Sequence, residues 1–270
     1  MKSSLVLSTH AAQFEAVALK GDFETNVAKI AGWGYDGVEL AIRDPALVDA
    51  RALTEVIDAH RLAVPAIGTG QAWGEEHLSF TDPDPEVRAA AVARIQSHIP
   101  LAAELDAQII IGLIRGITPT GQTHAQSMAY FVEAMQACAK PARDAGVRFA
   151  IEPLNRYETD LLHTVQEGLI FLDEVGLQNV GLLLDTFHMN IEEPSIEEGL
   201  RRCGDRIFHI HLADSNRWYP GAGHVDFRSV VETLREIGYD AWLSGEFMPQ
   251  PDAATAAQRA IAHIRPLLQD

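Results

Sequence analysis

The sequence predicts a single-domain (β/α)8 barrel over residues 1–270, and two observations carry that prediction. Eight short apolar runs alternate with longer amphipathic stretches along the whole chain. No linker or low-complexity segment interrupts them. Near-continuous apolar strands belong to parallel sheets covered on both faces, and eight such units in this length close most simply into a barrel. An open doubly wound sheet is the alternative, but no GxGxxG follows the first strand to support a dinucleotide fold.

Taken in order, residues 5–7 form the first apolar run, and residues 22–34 show a helical pattern with Val27, Ile30 and Ala31 on one face. A Gly-Tyr-Asp turn leads into the second strand within 34–42, ending at Arg43, and 46–60 is helical. The third strand, within 62–70, ends in a glycine-containing loop. The DPDPEV turn signals open a long helix over 82–105. The fourth strand is expected over 107–116, ending at Arg115, before a helix over about 121–145. Strand five and its loop occupy 147–160, strand six 180–184, strand seven lies within 205–218 and strand eight within 239–247. A helix from 253 to 268 closes the barrel. The segments GYDGVEL (34–40) and GYDAWLSGE (238–246) echo each other, each with an acid near the strand end.

At 47% hydrophobic the chain can bury one substantial core, and its net charge of −17 disfavours nucleic acid and anionic lipid as partners. Cys138 and Cys203 lie far apart, within expected helices, and read as core thiols. The N-terminal segment does not read as a signal peptide, and no run reaches the roughly 18 apolar residues of a membrane span. A cytoplasmic location is the expectation.

The chemistry gathers at the ends of the last four strands. Strand five ends at Glu152, strand six at Asp185, strand seven at His211 and strand eight at Glu246. Taken singly, each fits an ordinary hydrogen-bonded polar group. Four consecutive tips around one barrel mouth instead suggest a site for one divalent cation, with three oxygen donors and an imidazole. That donor set suits Mn²⁺, Mg²⁺ or Co²⁺, with Mn²⁺ expected. A cation would also relieve the repulsion among three carboxylates. His209 and His211 share a strand face, and His211 is taken as the ligand because it lies nearer the mouth. Arg43 and Arg115, just past strands two and four, suggest an anionic substrate, because a guanidinium matches a carboxylate. Gln71 and Trp73 are expected on the far wall.

These segments bring a family into view. IEPLNRYETD (151–160), LLLDTFHMNIEE (182–193), HIHLADSNR (209–217) and GEF (245–247) resemble the xylose-isomerase-like TIM-barrel sugar isomerases and epimerases, and within them the ketose 3-epimerases. The resemblance implies metal ligation by Glu152, Asp185, His211 and Glu246, and substrate contacts from Glu158, His188 and Arg217. It implies Glu152 and Glu246 as the acid/base pair, and a homo-oligomer, dimer or tetramer. The segments LVLSTHAAQFEAVALKGDF, ELAIRDPALVD, AIGTGQAW and IIIGLIRG narrow the resemblance toward epimerases that interconvert 5-keto-L-gluconate and D-tagaturonate. The expected substrate is therefore a keto-sugar acid. A neutral D-tagatose, D-allulose or L-ribulose is the alternative, and aldose–ketose isomerisation or endonuclease IV-like hydrolysis the remoter ones.

Overall fold

The computed structural model describes residues 1–269 and shows eight parallel strands closed into a barrel. They are β1 (Lys2–Ser8), β2 (Gly37–Ala41), β3 (Ala66–Gly68), β4 (Gln108–Ile111), β5 (Phe149–Ile151), β6 (Val180–Asp185), β7 (Ile207–Leu212) and β8 (Trp242–Gly245). Each pairs with the next, and β8 pairs back with β1. A two-residue strand, Leu19–Lys20, flanks β1. The helices used below are α1 (Gln71–Glu76), α2 (Pro85–Glu104), α3 (His124–Asp144), α4 (Val165–Val175) and α5 (Thr186–Glu192).

Alternation along the strands separates two environments. Ile210 and Leu212 of β7 pack among the helices, while His209 and His211 point inward to Glu39 of β2. Ala66, Ile110, Ala150 and Leu183 form a smaller interior layer from β3 to β6. The registers bring the strand tips level, with Asp185 directly opposite His211. Local signals fix the helix starts. Asp84 caps α2 with Pro85 at its first position, and Thr123 and Thr164 form capping boxes with Gln126 and Glu167. Cys138 and Cys203 are buried free thiols. No helix among the described residues is long and apolar enough to cross a membrane.

Two expectations need correction. Strand β4 stops at Ile111, and Leu113–Arg115 is a 3-10 turn. Gly112, whose Cβ would approach Glu152 Oε2 at 3.0 Å, lets the chain turn there beside the site. In the sequence Met189 and Asn190 read as the start of the loop that carries His188. All three residues lie in α5 instead, which Asp185 itself caps, its Oδ1 accepting the Phe187 N–H at 2.8 Å.

Candidate active site

Glu152, Asp185, His211 and Glu246 converge at the C-terminal mouth, with one donor atom from each lying within 4.8 Å of the others. Glu152 follows β5 and Glu246 follows β8, so the two glutamates flank Asp185 and His211. His211 Nδ1 lies 3.7 Å from Glu152 Oε1 and 3.7 Å from Glu246 Oε2. Glu152 Oε1, Asp185 Oδ2 and His211 Nδ1 are buried and find no hydrogen-bond partner within the protein. Leaving three such atoms unpaired is expensive unless something binds them. Hard oxygen donors with one imidazole fit a divalent cation.

Surrounding groups aim these donors. His211 Nε2 and His209 Nε2 contact opposite oxygens of Glu39 at 2.9 and 2.7 Å. Glu39, at the barrel centre, thereby holds the Nε2–H of His211 and turns its Nδ1 toward the other three groups, as carboxylates behind metal-binding histidines do. Asp185 splits its two oxygens, one capping α5 and one facing the site.

The opposite donors are equally constrained. The Asn155 backbone N–H donates to His188 Nδ1 at 3.3 Å, and the Asn155 side-chain nitrogen lies 2.8 Å from the same atom. Nδ1 is therefore the acceptor, and the proton of the neutral ring sits on Nε2, 3.8 Å from Glu152 Oε1 and 3.9 Å from Asp185 Oδ2. Arg217 Nη1 donates to Glu158 Oε1 at 2.6 Å, and Asn155 donates to the same oxygen at 2.9 Å. Phe14 and Phe187 stack on the Arg217 guanidinium. Arg217 has φ of 60°, a strained conformation held by three backbone hydrogen bonds among Asp214, Trp218 and Met248. The buried Asp214 carboxylate accepts from Ser215, Gly221 and Val225, tying down the loop that carries Arg217.

The protein groups alone shift the tetrad strongly. Burial raises Glu246 to about 7, partly opposed by His211 and Arg217. Burial likewise raises Glu152 and Asp185, with His211 opposing both. Burial pushes His211 down, but Glu39 and Glu246 outweigh it and hold the ring well above its ordinary range. His188 moves the other way, lowered by burial and then by Arg217, so its ring is neutral. Shifts of this kind gather where ionisable groups perform chemistry.

The arginines expected to bind an anion do neither of the things that role requires. Neither lines the cavity of about 280 Å³ above the tetrad. Arg115 is fully buried, and its guanidinium donates to the carbonyls of Gly112, Leu161 and Glu152. It braces the Glu152 backbone. Arg43 pairs with Glu75 at 2.7 Å and Glu76 at 3.0 Å. Gln71 does line the cavity, with Nε2 donated to Ser8 Oγ at 2.8 Å, and Trp73 lines it too. Arg115→Ala should destabilise the fold by about 3–5 kcal/mol, since it strands buried carbonyls and opens a cavity. Urea denaturation measures this, and an unchanged midpoint would return Arg115 to a substrate role.

Sequence reasoning did not assign Glu39, Asn155 or Asp214. Glu39 carries a signal, an acid embedded in the apolar run of β2, within the segment that 238–246 echoes. Asn155 acts on the His188 and Glu158 side chains, and Asp214 on backbone N–H groups of its own loop, contacts that residue spacing does not encode.

Three comparisons bear on this arrangement. A family profile described as xylose isomerase-like TIM barrel matches residues 27–267. The L-ribulose 3-epimerase of Methylomonas sp. (strain DH-1) is 35% identical over 217 residues, covering 79% of this chain and 74% of that protein. Among solved structures, D-allulose 3-epimerase from Methylomonas sp. in complex with D-allulose superposes with a TM-score of 0.84 at 27% identity, covering 98% of this chain and 96% of that one. D-psicose 3-epimerase with D-tagatose from Clostridium cellulolyticum H10 gives 0.85 at 26% identity, covering 99% of each chain.

Proposed function

The chain belongs to the xylose isomerase-like TIM barrel family, and we propose that it is a metal-dependent 3-epimerase of neutral ketoses. The observation that carries the substrate class is the charge of the cavity wall. Glu39, Glu75, Glu152, Glu158 and Glu246 all line it, whereas Arg217 is its one guanidinium and is already paired with Glu158. Even with a dication bound, such a wall favours an uncharged substrate over a keto-sugar acid. The narrower likeness to 5-keto-L-gluconate epimerases lies in N-terminal segments whose Arg43 and Arg115 are engaged elsewhere. Relatives named for L-ribulose and D-allulose support the same reading.

Glu152, Asp185, His211 and Glu246 would hold the cation. When bound, it supplies Lewis-acid stabilisation of the negative charge that develops on the ketose O2 as C3 loses its proton. Glu152 and Glu246 flank the tetrad from opposite ends, so one can take the C3 proton on one face while the other returns a proton on the opposite face. His188, neutral with its proton on Nε2, donates to O2 and stabilises the enediolate as it forms. Glu158 and Arg217, locked together, orient the hydroxyls near C1 to C3. The apolar wall formed by Val6, Phe14, Val17 and Leu154 limits water at the intermediate.

The test is deuterium wash-in at C3 across D-allulose, D-tagatose, D-fructose, L-ribulose, D-tagaturonate and 5-keto-L-gluconate, with the Mn²⁺-loaded protein. Label should enter C3 of the neutral ketoses, with kcat/KM at least tenfold above that for either acid. Label at C1 would make the protein an aldose–ketose isomerase, and preference for the acids would overturn the neutral-ketose reading.

A further inference from the structure

We propose that Glu75, held by Arg43, accepts the terminal hydroxyl of the ketose and makes the far end of the cavity selective for an uncharged six-carbon chain. This rests on the neutral-ketose reading above and extends it to the end of the substrate that undergoes no chemistry.

Strand order gives the location. Strand β3 lies four strands from β7, so the α1 segment that follows β3 faces the tetrad from the other side of the mouth. Gln71, Trp73 and Glu75 of α1 all line the cavity there. A ketose held through O2 and O3 at the tetrad therefore extends its C4–C6 portion toward α1.

The carboxylate of that wall keeps an acceptor free. Glu75 is mostly buried, with a side chain only 15% exposed, and its Oε2 takes Arg43 Nη1 at 2.7 Å. Its Oε1 has only a long contact of 3.4 Å from the Gln13 backbone N–H, which leaves that oxygen able to accept a stronger bond. Gln71 gives its Nε2 to Ser8 Oγ, and Thr69 gives its hydroxyl to the Ile110 carbonyl at 2.7 Å. The Gln71 and Thr69 donors are thus spent inside the protein, which leaves Glu75 Oε1 as an acceptor on the cavity wall, beside the apolar side chains of Val6, Phe14 and Val17. A sugar hydroxyl can donate to such a wall. A carboxylate at C6 can only accept and meets another carboxylate at short range.

Arg43 acquires a positioning role in this arrangement. It bridges Glu75 and Glu76, while Arg94 of α2 bridges Glu76 at 2.8 Å and Asp44 at 3.1 Å. The network ties α1 to the end of β2 and to α2, fixing the Glu75 carboxylate before substrate arrives. A site preorganised to bond a hydroxyl discriminates strongly against an analogue that lacks it.

The experiment measures kcat and KM for D-allulose, 6-deoxy-D-allulose and D-tagaturonate with Mn²⁺-loaded wild type, Glu75→Gln, Glu75→Ala and Arg43→Ala. Wild type should favour D-allulose over its 6-deoxy analogue by about tenfold or more. Glu75→Ala should erase that preference through KM, with kcat within about twofold. Glu75→Gln, which keeps an acceptor and loses the charge, should retain most of the preference and gain at least tenfold on D-tagaturonate. Arg43→Ala should show a partial version of the Glu75→Ala pattern. Equal losses on D-allulose and its 6-deoxy analogue in Glu75→Ala would overturn the inference and leave the epimerase reading standing. Failure of wild type to turn over any neutral ketose would overturn both.

Discussion

Replacing Glu246 by Gln should lower epimerisation of D-allulose by about 10³–10⁴-fold while the barrel stays folded, and Glu152→Gln should do the same. Gln preserves the side-chain volume and one carbonyl oxygen, so the packing around β5 and β8 persists. What it removes is a group able to take and return a proton. The two variants also discriminate between one-base and two-base chemistry. If each glutamate serves one face of C3, either variant retains slow solvent exchange from one epimer and loses it from the other. Their preferences should then be opposite, as read by deuterium wash-in from D-allulose and from D-fructose separately. Exchange from the same epimer in both variants would refute the two-base assignment. Chelator competition on each variant separates loss of the cation from loss of the base, because both residues are also candidate ligands.

The environment of the pair explains why such a large effect is expected. A general base works best when its pKa is near the operating pH. Burial raises Glu246 to about 7. It raises Glu152 well above the ordinary range as well, despite the opposing influence of His211. Burial leaves Glu152 Oε1 without a hydrogen-bond partner in the protein, so a purely structural role gives no return for it. The fold therefore holds an arrangement that destabilises the ionised carboxylates, and the chemistry of the site is the reason to keep it.

How much of this was legible in the sequence follows from range. A buried strand announces itself within six residues, because apolar runs such as residues 180–184 have few other uses, and its polar terminus marks the tip. Once eight strands imply a barrel, the convergence of Glu152, Asp185, His211 and Glu246 follows from topology alone. Strand ends were less legible: GLIRG continues an apolar run, yet Gly112 breaks it and sends Arg115 inward to backbone carbonyls. Whether an arginine past a strand tip is free or engaged depends on side chains far off in sequence. For Arg43 these are Glu75 and Glu76, 32 and 33 residues away. A still longer separation hid Glu39, whose partners His209 and His211 lie 170 and 172 residues away.

The second large effect is on stability, and it reverses with the metal. In chelated protein, Glu152, Asp185 and Glu246 are raised in the native state by burial, above the ordinary carboxylate range of the unfolded chain. Between about pH 4.5 and 7 the native state thus holds protons on these groups that the unfolded state has released. Stability must fall as pH rises through that window, by on the order of 3 kcal/mol from Glu246 alone. His188, His209 and His98, all lowered by burial, contribute the opposite slope below the ordinary histidine value, whereas His211, held above that value by Glu39 and Glu246, adds to the fall beyond it. Glu39 is held below the usual range despite its burial, by His211 and His209. It is ionised in both states over most of this window and adds little slope. A cation competes with the same protons, so its affinity rises with pH and binding releases them. The urea midpoint of chelated protein should therefore drop between pH 5.5 and 7.5. Under saturating Mn²⁺ it should hold or rise, and the loss of epimerase activity on chelation should be restored by Mn²⁺ or Co²⁺. Parallel pH profiles with and without the ion would mean that these four residues do not bind it, and the assignment of the tetrad would fall with that result.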